Sequence, residues 1–227
     1  MISALPSRLG KIILAGGLAA GAGWWFLQNP ATPVASQKPA ELLARIAPSV
    51  PLPSTDATDD ELLRLARIEV VRSPLRALAW AQSADPALRH RLQLAVMQAW
   101  GERNIGAAVA WALDHETDPR ADLRAALAGS MREPVVAIQL GQELLAENSP
   151  YAGTFGDALI DALGAAGQFQ AAIQFAADAP AGNQEDWLSA GFRNWASQQP
   201  DQAVQSLETV TDPDLRDSLL RAVVQGW

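Results

Sequence analysis

One helical stripe returns along this chain at almost constant spacing, and that recurrence limits what the chain can fold into. It is clearest where Leu92, Ala95, Val96, Ala99 and Trp100 occupy one face of an α-helix, at intervals of three or four residues. It returns as Leu123, Ala126, Leu127, Ser130 and Met131, and then as Phe155, Ala158, Leu159, Ala162 and Leu163. Two more copies follow at Trp187, Ala190, Gly191, Asn194, Trp195 and at Leu219, Ala222, Val223, Gly226, Trp227. The steps are 31, 32, 32 and 32 residues, and a weaker copy lies upstream at Leu63, Ala66, Arg67, Val70 and Val71. A helix with one apolar stripe has to bury it, and a stripe that repeats is buried by its own neighbours.

Each copy before the last is followed by a second helical signature. These are Ala77-Leu78-x-Trp80, Ala108-Val109-x-Trp111, Ala137-Ile138-x-Leu140, Ala172-Ile173-x-Phe175 and Ala203-Val204-x-Ser206. Asp85-Pro86, Asp118-Pro119 and Asp212-Pro213 join a side-chain acceptor for the N-cap to a proline tolerated in the first turn, and Ser73-Pro74 does the same. Glu133-Pro134 and Gln199-Pro200 keep only the proline. No β-branched alternation reads as a strand. The expected fold is all-α: stacked helix-turn-helix repeats preceded by a single transmembrane helix.

That last element rests on Leu9 to Leu27, apolar apart from Lys11. At about 1.5 Å per residue it spans roughly 28 Å, close to a bilayer core. Arg8 and Lys11 stand at its start and no basic residue follows until Lys38, which places residues 1–8 in the cytoplasm. Trp24 and Trp25 suit the far interface. The alternative is a cleaved signal peptide, since Ala20-Gly-Ala22 supplies small residues near the end of the apolar run. Both alternatives export the rest, as an inner-membrane protein with a periplasmic domain or as a soluble periplasmic one. Gly17 and Gly21 form a GxxxG spacing of the kind that arises by chance in so Gly- and Ala-rich a run. Residues 28–58 are a Pro-rich tether, and residues 59–227 carry the repeats.

Charge narrows the class of partner. The net charge of −8 argues against nucleic acid, which calls for a basic patch. Residues 61–132 hold ten Arg against eight acids, while 133–227 hold three Arg against thirteen, so the C-terminal half would steer a basic partner. With no Cys there is neither a disulfide framework nor a thiolate site.

The repeats resemble tetratricopeptide repeats over roughly residues 59–227. Gly167-Gln-Phe169-Gln-Ala-Ala172 resembles that family's opening of a second helix, and Trp187 and Gly191 followed by Ala203 and Leu207 resemble the same framework. The remaining copies depart from the pattern, and the period is shorter than the family's. They are equally similar to a short Ala-Trp-Ala repeat with Asp-Pro turns. The resemblance implies five hairpins and a terminal capping helix from Asp212 to Trp227. It also implies a groove lined by the first helix of each hairpin.

A second stripe runs beside the first at Gln93, Met97, Trp100; Arg124, Ala128, Met131; Gly156, Ile160, Leu163; Leu188, Phe192, Trp195; and Leu220, Val224, Trp227. Two outcomes are open: an apolar groove floor for a partner protein segment, or core. The expected partner-binding residues are Met97, Trp100, Met131, Ile160, Leu188, Phe192, Trp195 and Trp227. Trp80 and Trp111 read as core. Trp227 either folds back towards Trp195 or marks a docking edge or a contact between two copies.

Catalytic patterns are weak. His90 between Arg89 and Arg91 reads as a solvated helix start. Asp114-His115-Glu116 with Asp118 lies where a helix ends, and a His there complements the helix dipole without a metal. Asp157 and Asp161, one turn apart, read as a solvated face. The sequence therefore points to a non-catalytic, membrane-anchored scaffold, with no catalytic residue, cofactor or metal expected. The alternative is an accessory subunit integrated mainly through its transmembrane helix.

Overall fold

The computed structural model describes residues 51–115 and 119–227, and within them the chain is all-α. The expected segments 1–8 and 9–27, the tether up to residue 50 and the expected cap residue Asp118 lie outside the described residues, while Pro119 immediately precedes a helix. Among the described residues, no helix is long and apolar enough to cross a membrane. Eleven helices are described. They are α1 (Asp59–Arg72), α2 (Pro74–Gln82), α3 (Pro86–Arg103), α4 (Ile105–His115), α5 (Arg120–Ser130) and α6 (Val135–Ala146). Then come α7 (Ala152–Ala165), α8 (Phe169–Ala177), α9 (Ala181–Ala196), α10 (Pro200–Leu207) and α11 (Pro213–Gly226).

The boundaries follow from local chemistry. Asp85 accepts from the Ala87 N–H at 3.0 Å, and Asp212 from the N–H groups of Asp214 and Leu215. Thr58 and Ser73 cap α1 and α2 through their hydroxyls. Two helices end on a left-handed residue. Gly167 (φ +73°) follows α7, with the Gln168 N–H donating to the Leu163 carbonyl at 2.8 Å. Asn148 (φ 52°) follows α6 in the same way, with Ser149 donating to Leu144. Both are Schellman closures.

Odd-numbered helices pack on one another in chain order, and each even-numbered helix packs on the odd helices before and after it. This two-layer order is compatible with a helical repeat. The alanine column sits at these contacts: Ala95, Ala126, Ala158 and Ala222 are buried and Ala190 is half-buried. The closest approach, however, is made by glycines. A Cβ on Gly101 would strike the backbone of Ala126, and one on Gly129 would strike the backbones of Gln98 and Glu102. Gly226 lies in the same way against the Arg193 carbonyl. Polar rungs at about one repeat's separation tie successive odd helices together, among them Arg91 to Asp59 (2.6 Å), Arg67 to Glu102 (2.8 Å) and Ser218 to Glu185 (2.6 Å). A hydrogen-bonded chain runs from exposed Gln82 through buried Gln93 to buried Asp122. The end of the expected tether is held too: Ala57 is buried and its carbonyl accepts from Arg91.

Candidate functional site

The apolar residues expected to floor a groove lie inside the domain. Met97, Trp100, Met131, Ile160, Leu188, Phe192 and Trp195 are all buried, and Trp227 alone is open, at 79% exposure. The expected apolar groove is therefore core over these seven positions. The cause is visible in what covers them. Trp100 meets Trp111 of the following helix with ring centroids 6.3 Å apart. Trp195 stacks on Phe169 at 5.7 Å and tilts against Phe192 at 6.0 Å. Ile160 and Ile173 converge on the bare face of Gly191 in the next odd helix. Thus Trp100 and Trp195 face the even-numbered layer, whereas Arg124 and Ala128 of the same stripe stand exposed. Trp80 is buried as expected, while Trp111 is half-buried, with His115 stacked on its outer side at 5.0 Å.

The open relief of the odd-helix layer takes in two members of that stripe, Arg124 and Ile160. A cleft of about 240 Å³ runs between α5, α7 and α9. Arg120 and Arg124 line it from α5, Asp157 and Asp161 from α7, and Asp186 and Trp187 from α9. Each same-sign pair sits four residues apart, which puts both members on one helix face. Asp157 and Asp161 lie on a solvated face, as expected, and each also has a partner there. Asp157 accepts from the Trp187 indole N–H at 2.7 Å, and Asp161 pairs with Arg124 at 2.7 Å. Trp187 can lie this close because its ring rests where a side chain on residue 156 would be, and residue 156 is glycine.

These contacts fix orientation more than they add stability. The Arg124–Asp161 pair is 56% and 39% exposed, so its net contribution is about 0–1 kcal/mol. The result is a shallow surface of fixed two-signed charge. Among the described residues, no group of three or more His, Cys, Asp or Glu side chains could hold a metal. His115 is engaged locally, with Nδ1 at 3.0 Å from the Trp111 carbonyl, and Glu116 and Asp118 lie outside the described residues. His90 is exposed.

The cleft was hidden from a stripe-by-stripe reading because its residues belong to three helices. A trace of it exists in the sequence, since Arg120/Arg124 and Asp157/Asp161 are opposite-sign pairs on successive copies. A second open feature is the far side of α11, where Leu220 (46%), Val224 (63%) and Trp227 (79%) stand exposed. Compared with family models, curated proteins and solved structures, the chain gives no significant match to any of them.

Proposed function

We propose that the chain is a non-catalytic scaffold, held in the inner membrane by residues 9–27, with residues 59–227 in the periplasm as five tetratricopeptide-like hairpins and a capping helix. It holds a segment of a partner protein on the face formed by the first helix of each hairpin. The observation that supports this most is the cleft between α5, α7 and α9. It lies on the face where the resemblance places a ligand groove, and its charged side chains are already oriented by Trp187 and by the Arg124–Asp161 pair. A preoriented surface loses less side-chain freedom when it binds. Its alternation of signs suits an extended, polar segment carrying both charges. Five charged side chains line it, so recognition is electrostatic and sensitive to ionic strength.

A photo-crosslinking residue at Asp186, in the full chain in native membranes, tests this. The expected result is a defined protein adduct that Arg124→Glu removes and rising salt weakens, with none from the same probe at Gln139 on α6. Equal adducts at both positions, or none at Asp186, would refute the site. Replacing residues 1–28 with an unrelated anchor should leave the adduct in place. Its loss would assign assembly to the N-terminal segment, as an accessory subunit would require.

A further inference from the structure

One polar rung inside the domain recurs in the cleft with half of it missing. Gln93, Arg124 and Gly156 occupy one position of the repeat, and Asp122, Thr154 and Asp186 occupy another. Between α3 and α5 the two positions meet: the Gln93 amide nitrogen donates to both carboxylate oxygens of buried Asp122, at 3.0 and 3.2 Å. Between α5 and α7 they carry Arg124 and Thr154, and Arg124 turns to Asp161 instead. Between α7 and α9 they carry Gly156 and Asp186. Gly156 has no side chain to donate, and the Trp187 ring lies where one would be. The single Trp187 indole N–H goes to Asp157 Oδ1. Asp186 therefore stands exposed on the cleft wall, and among the described residues no donor reaches it. Charge points the same way. Arg124 and Asp161 offset each other, which leaves Arg120 against Asp157 and Asp186, one negative charge in excess. Arg193, the next cation along α9, lies seven residues on and outside the cleft.

We infer, on the reading that this cleft is the binding site, that the segment held in it sets an arginine side chain against Asp186, as Gln93 is set against Asp122. Asp122 shows what satisfies a carboxylate at this position of the repeat: a planar nitrogen group facing both oxygens. A guanidinium presents two N–H groups in that arrangement and stays charged at every ordinary pH. A glutamine would repeat the hydrogen bonds and leave the excess negative charge unanswered. A lysine would answer the charge as a single point, without the fork. Asp157, with Oδ1 engaged by Trp187, lines the same cleft and adds to the attraction for a cation.

Trp187 is the reporter, because its indole N–H is bonded at this site. The full chain in mild detergent, with its indole nitrogens isotope-labelled, is titrated with acetyl-Gly-Arg-Gly-amide and followed by the Trp187 indole NMR signal. Trp187→Phe identifies that signal. The expected result is a saturable shift that the matching lysine peptide produces at least threefold more weakly and the matching glutamate peptide not at all. Asp186→Asn should weaken the arginine response at least fivefold, Asp186→Glu should retain it, and rising salt should reduce it. Asp186 is exposed, so neither substitution disturbs the fold. No shift, an equal response to lysine or glutamate, or an unchanged response in Asp186→Asn would overturn the inference. The photo-adduct at position 186 forms with that carboxylate already replaced, so it reports occupancy of the cleft alone. An adduct without an arginine response sinks this inference and leaves the proposed site standing, and an arginine response without an adduct does the reverse.

Discussion

Replacing Gly129 with alanine puts one methyl group at the tightest helix crossing in the domain, and its cost can be worked out. A Cβ there would stand 2.8 Å from the Glu102 nitrogen and closer still to the Gln98 carbonyl, where ordinary contact is 3.4–4 Å. Both obstacles are backbone, so no side chain can swing away, and α3 and α5 must part. Opening a packed interface by about 0.5–1 Å forfeits a quarter to a half of each dispersion contact across it. The contacts at stake include Leu92, Val96, Leu123 and Leu127, all fully buried. Overpacking of this kind costs about 1–3 kcal/mol, and two rigid obstacles place it near the top of that range. Alanine is better than glycine in a helix by about 1 kcal/mol, which offsets part of the loss. The net expectation is a destabilisation of about 1–2 kcal/mol, which at a urea m-value of about 2 kcal/mol/M lowers the midpoint by roughly 0.5–1 M. Gly182→Ala is the control, because nothing lies within 4 Å of a Cβ there, and its midpoint should rise. Gly101→Ala meets the backbone of Ala126 across the same crossing, so combining it with Gly129→Ala should cost less than the sum. If Gly129→Ala raises the midpoint as Gly182→Ala does, the crossing is looser than described and the reasoning fails.

Three further outcomes follow from the core. Phe192→Asp with Trp195→Ala should abolish helical circular dichroism at ordinary temperature, since it puts a carboxylate and a large void where both rings are buried; retained helicity would reopen the groove. Trp187→Phe should cost about 1 kcal/mol more than Trp195→Phe in urea unfolding. The first loses the hydrogen bond to Asp157, whereas the Trp195 indole N–H is buried without a protein acceptor. Arg91→Ala should speed proteolytic cleavage within residues 51–58 without altering the unfolding midpoint by more than about 1 kcal/mol, because it releases Asp59 and the Ala57 carbonyl.

The period, the helix starts and the alanine contacts were legible in the sequence because each depends on near neighbours. Asp85, Ser73 and Asp212 cap the helices they precede, and a capping pattern is local by nature. Gly167 was legible only in part. Gly-x-Phe read as a family opening, and its physical content is a left-handed helix closure followed by Phe169, buried under Trp195. The roles of Gly101 and Gly129 were not legible, since a glycine that admits a neighbouring backbone looks like any other helical glycine until that neighbour is placed. The cleft was missed for a related reason: Arg124 meets Asp161, and Asp157 meets Trp187, only after three helices are side by side.

The second stripe shows most clearly where a sequence pattern stops carrying meaning. Leu188-x-x-x-Phe192-x-x-Trp195 and Leu220-x-x-x-Val224-x-x-Trp227 have the same spacing and nearly the same chemistry, yet one is core and the other is surface. Hydrophobic periodicity states only that a helix face must be covered; the rest of the array decides whether the chain supplies the cover itself. For Trp195 of α9 the cover includes Phe169 of α8, and for Trp100 of α3 it includes Trp111 of α4. An apolar face repeated from helix to helix is thus no evidence of binding until the helices around each copy have been placed.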